Sequence, residues 1–561
     1  MISVLKRTLL AVAVAALHLV SAHAAVQLIA TSSTSGSYQD RSDDTSTTLE
    51  NGVPGNRLGG LGSAITYAGG ETFLMLPDRG PNAVSGYGGT NIDYTVSYIN
   101  RFQTYSLHLL PNADYDPAAV AAGTAPFDVA GLPYILTPFL QATTLLSSPI
   151  PLTYGRAGSN GTTEISGVPT RSGVPPLNAV NHTFYFTGRS DGFDPNHNSL
   201  WPLDARFDTE GLRMSNDGRA VFISDEYGPY VYEFDRSTGQ RIRSFAMPAS
   251  FGVAHPNTTT STETGTGVPV VNGNSEGRVA NKGAEGLAIT PDGRTLVVAM
   301  QSPLIQDGGT SGDYMADGSS GGTPYTRIVT IDIASGRVTH QYAYPLDTTK
   351  TAISELLAVN GHQFLIDERD GSGFETANDD NSVAKEKYLY EIDIAGATDV
   401  SNIADLRKGG FTPVVKSSTP FLNLVAVVGA AGIPANNVPA KIEGEAFGAD
   451  IELNGQTVHT LYVTNDNDFL SYIVKDSGTP PADVGTVPAD NPNRVFVFAF
   501  EDGDLPLYAT THLGVQPQQI SPNAVHKHYD APFFGGFGAP PSEWFFLAVV
   551  SDLPHGRAIV T

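Results

Sequence analysis

The chain has 561 residues, 59 glycines, 38 prolines, no cysteine and a formal charge of −25. Without cysteine it has neither disulfides nor thiolate metal sites, so any metal must rest on oxygen or imidazole ligands. The acidity argues against nucleic-acid binding, which needs clustered Lys and Arg; it suits solubility or the capture of hard cations such as Ca²⁺.

The chain opens on Lys6-Arg7, an apolar run over residues 8–20 and the small-residue site Ala22-His23-Ala24. This pattern predicts a cleaved leader over 1–24 and a secreted or periplasmic product. The run is too short to favour a membrane span, as is the later apolar stretch 423–435. The expected mature protein, 25–561, is one domain with no membrane anchor.

A repeat then organises the chain. An acidic residue and a glycine open a short apolar run; a turn follows; a second run ends in a polar or acidic cluster. A first, degenerate copy runs from Arg57-Leu58-Gly59-Gly60-Leu61 to Asp78-Arg79-Gly80. The clearest copies run from Asp208-Thr209-Glu210-Gly211-Leu212 to Ser224-Asp225-Glu226-Tyr227-Gly228, and from Ala284-Glu285-Gly286-Leu287 to Met300-Gln301-Ser302-Pro303. A looser copy joins Ile353-Ser354-Glu355-Leu356 to Asp367-Glu368-Arg369-Asp370-Gly371. A stretched one joins Lys441-Ile442-Glu443-Gly444 to Thr464-Asn465-Asp466-Asn467-Asp468. Further strands of period two follow several copies, such as Val231-Tyr232-Glu233-Phe234-Asp235. Asp217-Gly218 and Asp292-Gly293 read as hairpin turns. Four antiparallel strands per repeat make a propeller blade. The expected fold is an all-β β-propeller of four-stranded antiparallel blades, six in number, with five as the alternative. The segment 111–204 is an irregular insertion or a divergent sixth blade.

Strand polarity predicts where the acidic clusters lie. The first strand of a blade lines the channel and the second runs back beside it. The start of one and the end of the other therefore share a face. This places Asp78, Glu210, Asp225, Glu226, Glu285, Glu355, Glu368, Asp370, Glu443, Asp466 and Asp468 at one channel mouth, with Arg79, Lys282, Arg369 and Lys441 among them. Crowded carboxylates need compensating cations. In the expected division of roles, Glu210, Glu285 and Glu443 are catalytic. Arg79, Lys282, Arg369 and Lys441 bind substrate. Asp78, Asp225, Glu226, Glu368, Asp370, Asp466 and Asp468 hold a divalent cation, Ca²⁺ by donor type. The competing structural reading gives such carboxylates to turn amides, or to bridges that tie neighbouring blades together.

These motifs in this order, with Asn281-Lys282-Gly283-Ala284-Glu285-Gly286-Leu287 and Gln301-Ser302-Pro303-Leu304, resemble the phytase-like family, described as "esterase-like activity of phytase". The resemblance covers roughly 57–502. It implies an exported propeller that hydrolyses phosphoesters or other esters, with a small anionic ester as partner. Gly60 stands where later repeats carry Glu, and Gln301 where the second repeat carries Asp225. Asp114-Tyr115-Asp116-Pro117-Ala118 only hints at a segment of the separate, metal-dependent propeller phytases.

Other chemistry is sparse. Gly188-Arg189-Ser190-Asp191-Gly192 and Gly318-Ser319-Ser320-Gly321-Gly322 match Gly-x-Ser-x-Gly but lack the strand-to-helix setting of a nucleophile elbow. His182, His197, His255, His526 and His528 read as loop histidines, and Asp379-Asp380-Asn381 as a solvated loop. Two functions remain open: a metal-assisted ester hydrolase, and a non-catalytic propeller that binds a ligand or protein at the same mouth.

Overall fold

The computed structural model describes residues 26–506 apart from 83–94, 118–130, 155–173, 191–192, 195, 255–273, 311–323, 375–382 and 474–488. The leader, His255, His526, His528, Asp379-Asp380-Asn381 and the second Gly-x-Ser-x-Gly lie outside the described residues. No described helix is long and apolar enough to cross a membrane.

Among the described residues five antiparallel sheets form the ring, so the expectation of six blades is corrected to five, the alternative. Blade 1 comprises Ala64–Tyr67, Thr72–Leu76, Arg101–Pro111 and Tyr134–Leu145. Blade 2 comprises Thr209–Met214, Ala220–Asp225, Tyr230–Asp235 and Arg241–Ala246. Blade 3 comprises Ala284–Ile289, Thr295–Met300, Tyr325–Asp332 and Arg337–Pro345. Blade 4 has Ala352–Ala358, Gln363–Arg369 and Lys387–Asp393, and its outer edge is split between Val415–Lys416 and Leu422–Asn423. Blade 5 has Ile442–Phe447, Gln456–Asn465 and Asn493–Phe500, and takes the N-terminal strand Gln27–Thr34 as its outermost member. That last pairing closes the ring. The segment 111–204 is no sixth blade. It supplies the outer strand of blade 1 and then, where described, a short helix Pro176–Asn181 and a two-residue ladder of Ser147–Ser148 with Phe184–Tyr185.

The first strands pack side by side in the order blade 1, 2, 3, 4, 5 and back to 1. One apolar cluster fills each blade interface. Strand alternation divides the side chains between them: Leu296, Val298 and Met300 face blade 2, while Val297 and Ala299 face blade 4. Valine, isoleucine and phenylalanine dominate these strands because each blade is buried on both faces.

The glycine of the Glu-Gly pair marks where two first strands touch. A Cβ at Gly211 would lie 2.4 Å from Leu287 Cβ, and one at Gly444 2.9 Å from the Ala64 backbone. The ladder slips at the same places, between Thr209 and Leu212, Ala284 and Gly286, Ile353 and Glu355, and Ile442 and Glu445. Such bulges re-aim a side chain next to a site. Gly361, in contrast, has open space around its Cβ position. Gly211→Ala is expected to cost about 1–3 kcal/mol through overpacking, and Gly361→Ala close to nothing. Urea denaturation of both variants checks this.

Candidate functional site

The bulges decide which residues reach the channel. Thr209, Ala284, Ile353 and Ile442 pair with Asp225, Met300, Glu368 and Asn465. Each of these partners is followed by a residue of the opposite face: Glu226, Gln301, Arg369 and Asp466. Three groups of carboxylates result, each with ligand oxygens within 4.8 Å of one another: Asp78, Asp466 and Asp468; Asp78, Asp208 and Glu210; Glu210, Glu226 and Glu285. Oxygens around one Ca²⁺, at about 2.3–2.6 Å from the ion, lie no more than about 5 Å apart, so each triad has the spacing of a ligand set.

Consecutive triads share a member, so seven carboxylates form one row across blades 5, 1, 2 and 3. All but Asp468 are buried. Lys441 Nζ fills the first triad, 2.7 Å from Asp466 Oδ2 and 2.5 Å from Asp468 Oδ1. Asp468 and Phe469 take left-handed conformations, with φ of 52° and 55°, which turn the Asp468 side chain back onto Lys441. Arg79 Nη1 lies 3.0 Å from Asp208 Oδ2 and 4.0 Å from Glu226 Oε2, and also donates to Asn281 Oδ1. Glu226 Oε1 accepts from the Gly283 amide at 2.8 Å. Glu285 Oε1 accepts from Gln301 Nε2 at 2.9 Å.

Part of the row is left without protein donors. Glu285 Oε2 and Asp208 Oδ1 are buried and have no hydrogen-bond partner. Burial pushes Glu210 well above the usual carboxylate range, and the neighbouring Glu285, Asp78 and Asp208 push the same way. Burial raises Asp78 and Asp208 to about 7 each, against the pull of Arg79. Buried, crowded and under-donated carboxylates favour either protons or cations.

Several expected site residues sit elsewhere. The one-residue offset sends Asp225 and Glu368 to the other face of their strands. Asp225 accepts the amides of Asp208, Tyr227 and Gly228 at 3.0–3.1 Å and so clasps the turn after the strand. Glu368 points into the blade 3–4 interface, where it takes Tyr344 Oη, Thr351 Oγ1 and Lys416 Nζ at 2.6–2.8 Å. Asp370 is held by the fully buried Lys387. Lys282 extends its Nζ to the Thr310 carbonyl at 3.0 Å. Glu443 belongs to no triad; Arg369 Nη2 holds it at 2.6 Å and Ser63 Oγ at 3.3 Å. Glu355 is a blade-to-blade bridge. Ser354 occupies the slipped position that Glu285 has in blade 3, while Glu355 accepts the Leu287 and Leu356 amides at 3.0 and 2.8 Å and pairs with Arg213 at 2.9 Å.

Asp208 escapes the sequence reading, although it stands two residues before Glu210. So does Arg213, which crosses the channel to the carbonyls of Ile65 at 3.0 Å and Leu356 at 2.9 Å, and so ties blades 1, 2 and 4 together. Below the row lies another acidic group, Asp367 and Glu445, with Glu355, Glu443, Arg213, Arg369 and Lys387 around it. Both Asp367 oxygens are buried without a partner. Of the remaining motif residues, His197 stacks on Trp201 with its Nδ1 2.9 Å from Asp194, and His182 ends a helix in a left-handed conformation. Ser190 Oγ accepts the Thr95 amide.

Asp367 yields a pH prediction. Burial lifts its carboxyl from 3.8 to about 8, with Arg369 and Lys387 opposing and Glu443 and Glu355 assisting. A raised carboxyl stabilises the fold fully below 3.8, and that stability is lost as pH rises through about 8. Asp367→Asn, which mimics the protonated form, is therefore expected to melt higher than wild type at pH 8. The gain should shrink as pH falls and vanish below about 3.8. Thermal melts across that window check it.

Residues 56–469 match the family model described as "Phytase-like: Esterase-like activity of phytase". An "Uncharacterized secreted protein" of Arthroderma benhamiae is 31% identical over 221 residues, which are 35% of this chain and 40% of that relative's length. Among solved structures, Kuenenia stuttgartiensis hydrazine synthase matches over 76% of this chain and 80% of its own, at 12% identity and a TM-score of 0.24. The β-propeller domain of Myceliophteria thermophila Cps50 (Swd1) matches over 50% and 69%, at 10% identity and a TM-score of 0.20. Superpositions this loose carry no argument about fold or chemistry.

Proposed function

The chain belongs to the phytase-like family, and from that premise we propose that it is an exported hydrolase. It cleaves phosphate esters or other anionic esters at the channel mouth, with a divalent cation held by the carboxylate row. The observation that carries this reading is the pair of buried, donorless oxygens, Glu285 Oε2 and Asp208 Oδ1, inside triads of ligand spacing. The donor set is all carboxylate, which suits Ca²⁺ or a similar hard ion. When bound, such an ion supplies positive charge to the ester oxygens and activates water.

The residues divide by access. Lys441, whose side chain is 32% exposed, is the row's solvent-facing cation and meets the anionic end of the substrate. Arg79 and Arg369 are buried and held by carboxylates, so they set the positions of Asp208 and Glu443 rather than touch substrate. Glu210, Glu226 and Glu285 serve as cation ligands, and Gln301 fixes the rotamer of Glu285.

Export rests on the leader pattern and on the secreted relative. Cleavage near Ala24 leaves intact the ring-closing strand, which starts at Gln27. N-terminal sequencing of protein recovered from outside the producing cell is expected to start near residue 25; a start at Met1 contradicts it.

The test of catalysis is a panel of p-nitrophenyl phosphate and carboxylic esters. Chelator should abolish hydrolysis, and Ca²⁺ should restore it. Glu285→Gln should lower the rate roughly 10- to 100-fold with an unchanged far-ultraviolet spectrum. A protein that binds Ca²⁺ and turns over none of these esters would favour a binding propeller instead.

A further inference from the structure

Resting on that reading and going beyond it, we infer that the row holds two divalent cations bridged by Glu210, with the Lys441 ammonium standing in the place of a third. The sharing pattern of the triads carries this. Asp78 belongs to the first and second triads, and Glu210 to the second and third. The first triad already contains a cation, because Lys441 reaches both Asp466 and Asp468. Arg79 meets the second and third at Asp208 Oδ2 and Glu226 Oε2.

The donorless oxygens divide between the two triads. Asp208 Oδ1 is the donorless atom of the second, and Glu285 Oε2 that of the third. Each triad therefore has its own unpartnered, fully buried oxygen. Glu210, itself buried, is the member that the second and third triads share.

Seven carboxylates outnumber the cations near them: Arg79 and Lys441 contact the row, and the buried Arg278 and Arg369 act on Glu226 and Glu285. The remaining negative charge is buried and calls for added cations. Two cations astride a shared carboxylate also clamp both sides of a displacement at an ester centre.

Isothermal titration of the chelator-treated full-length protein with CaCl₂ tests the inference, with Tb³⁺ luminescence as the optical probe. Wild type should bind two ions. Glu285→Gln should bind one, with the second triad still occupied. Asp208→Asn should also bind one, while Glu210→Gln should weaken both. Circular dichroism on every variant separates loss of a ligand from loss of fold. One ion in wild type, or equal losses for Glu285→Gln and Glu210→Gln, overturns the bridged pair and leaves the one-cation hydrolase standing. No Ca²⁺ or Tb³⁺ binding in a folded protein overturns both.

Discussion

Electrostatic self-repulsion in a buried channel is the constraint that the rest of the molecule answers. A five-bladed ring brings the starts of five first strands together, and four of those starts carry glutamate. Away from water, each added carboxylate raises the cost of the next. The protein meets that cost in three ways. Arg213 and Arg369 place positive charge between blades, and Lys441 places it on the acidic cluster of blade 5. Backbone amides freed near the bulges satisfy Glu226 and Glu355. Protons or ions must do the rest, at Asp78, Asp208, Glu210 and Glu285. Ring closure and site chemistry are thus one electrostatic problem.

Much of this is legible in the chain, for a definite reason. The Glu-Gly repeat carries two separate demands at adjacent positions: a side chain for the channel, and the absence of one where the neighbouring strand packs. Only the second explains why glycine follows glutamate at 211, 286 and 444. The tail of each second strand is harder to read. A bulge slips the alternation by one residue, and nothing in the letters marks on which side of it a carboxylate falls. Asp225 and Glu226 look equivalent in sequence, yet one clasps a turn and the other joins the row. Glu368 and Arg369 divide in the same way, as do Ser354 and Glu355. The number of blades was obscured by the long connection after blade 1, whose strand Tyr134–Leu145 pairs back onto Arg101–Pro111 instead of founding a new sheet.

Structural and functional readings of the acidic residues do not compete globally; they divide the residues between them. Asp225 and Glu368 are engaged at both oxygens, Glu355 takes two amides and the Arg213 ion pair, and Asp370 takes Lys387, so these four act as fastenings. Glu210, Asp208 and Glu285 retain unspent acceptor capacity. The distinction follows from donor counts around each oxygen. It could not have come from residue type or from spacing.

The N-terminal strand has a consequence for how the chain reaches this state. Leu28 pairs with Phe498, so the strand made first waits for a partner synthesised about 470 residues later. Blades 1 to 4 fold on local hairpins and can form as the polypeptide emerges. The fifth cannot be completed until synthesis is nearly done. Closing so long a loop costs entropy that grows only slowly with its length, but it makes the final step non-local and slow. Until that strand docks, the molecule is an open arc with an unpaired edge at either end. Its exposure to misassociation is therefore set by the time that one strand takes to find its place.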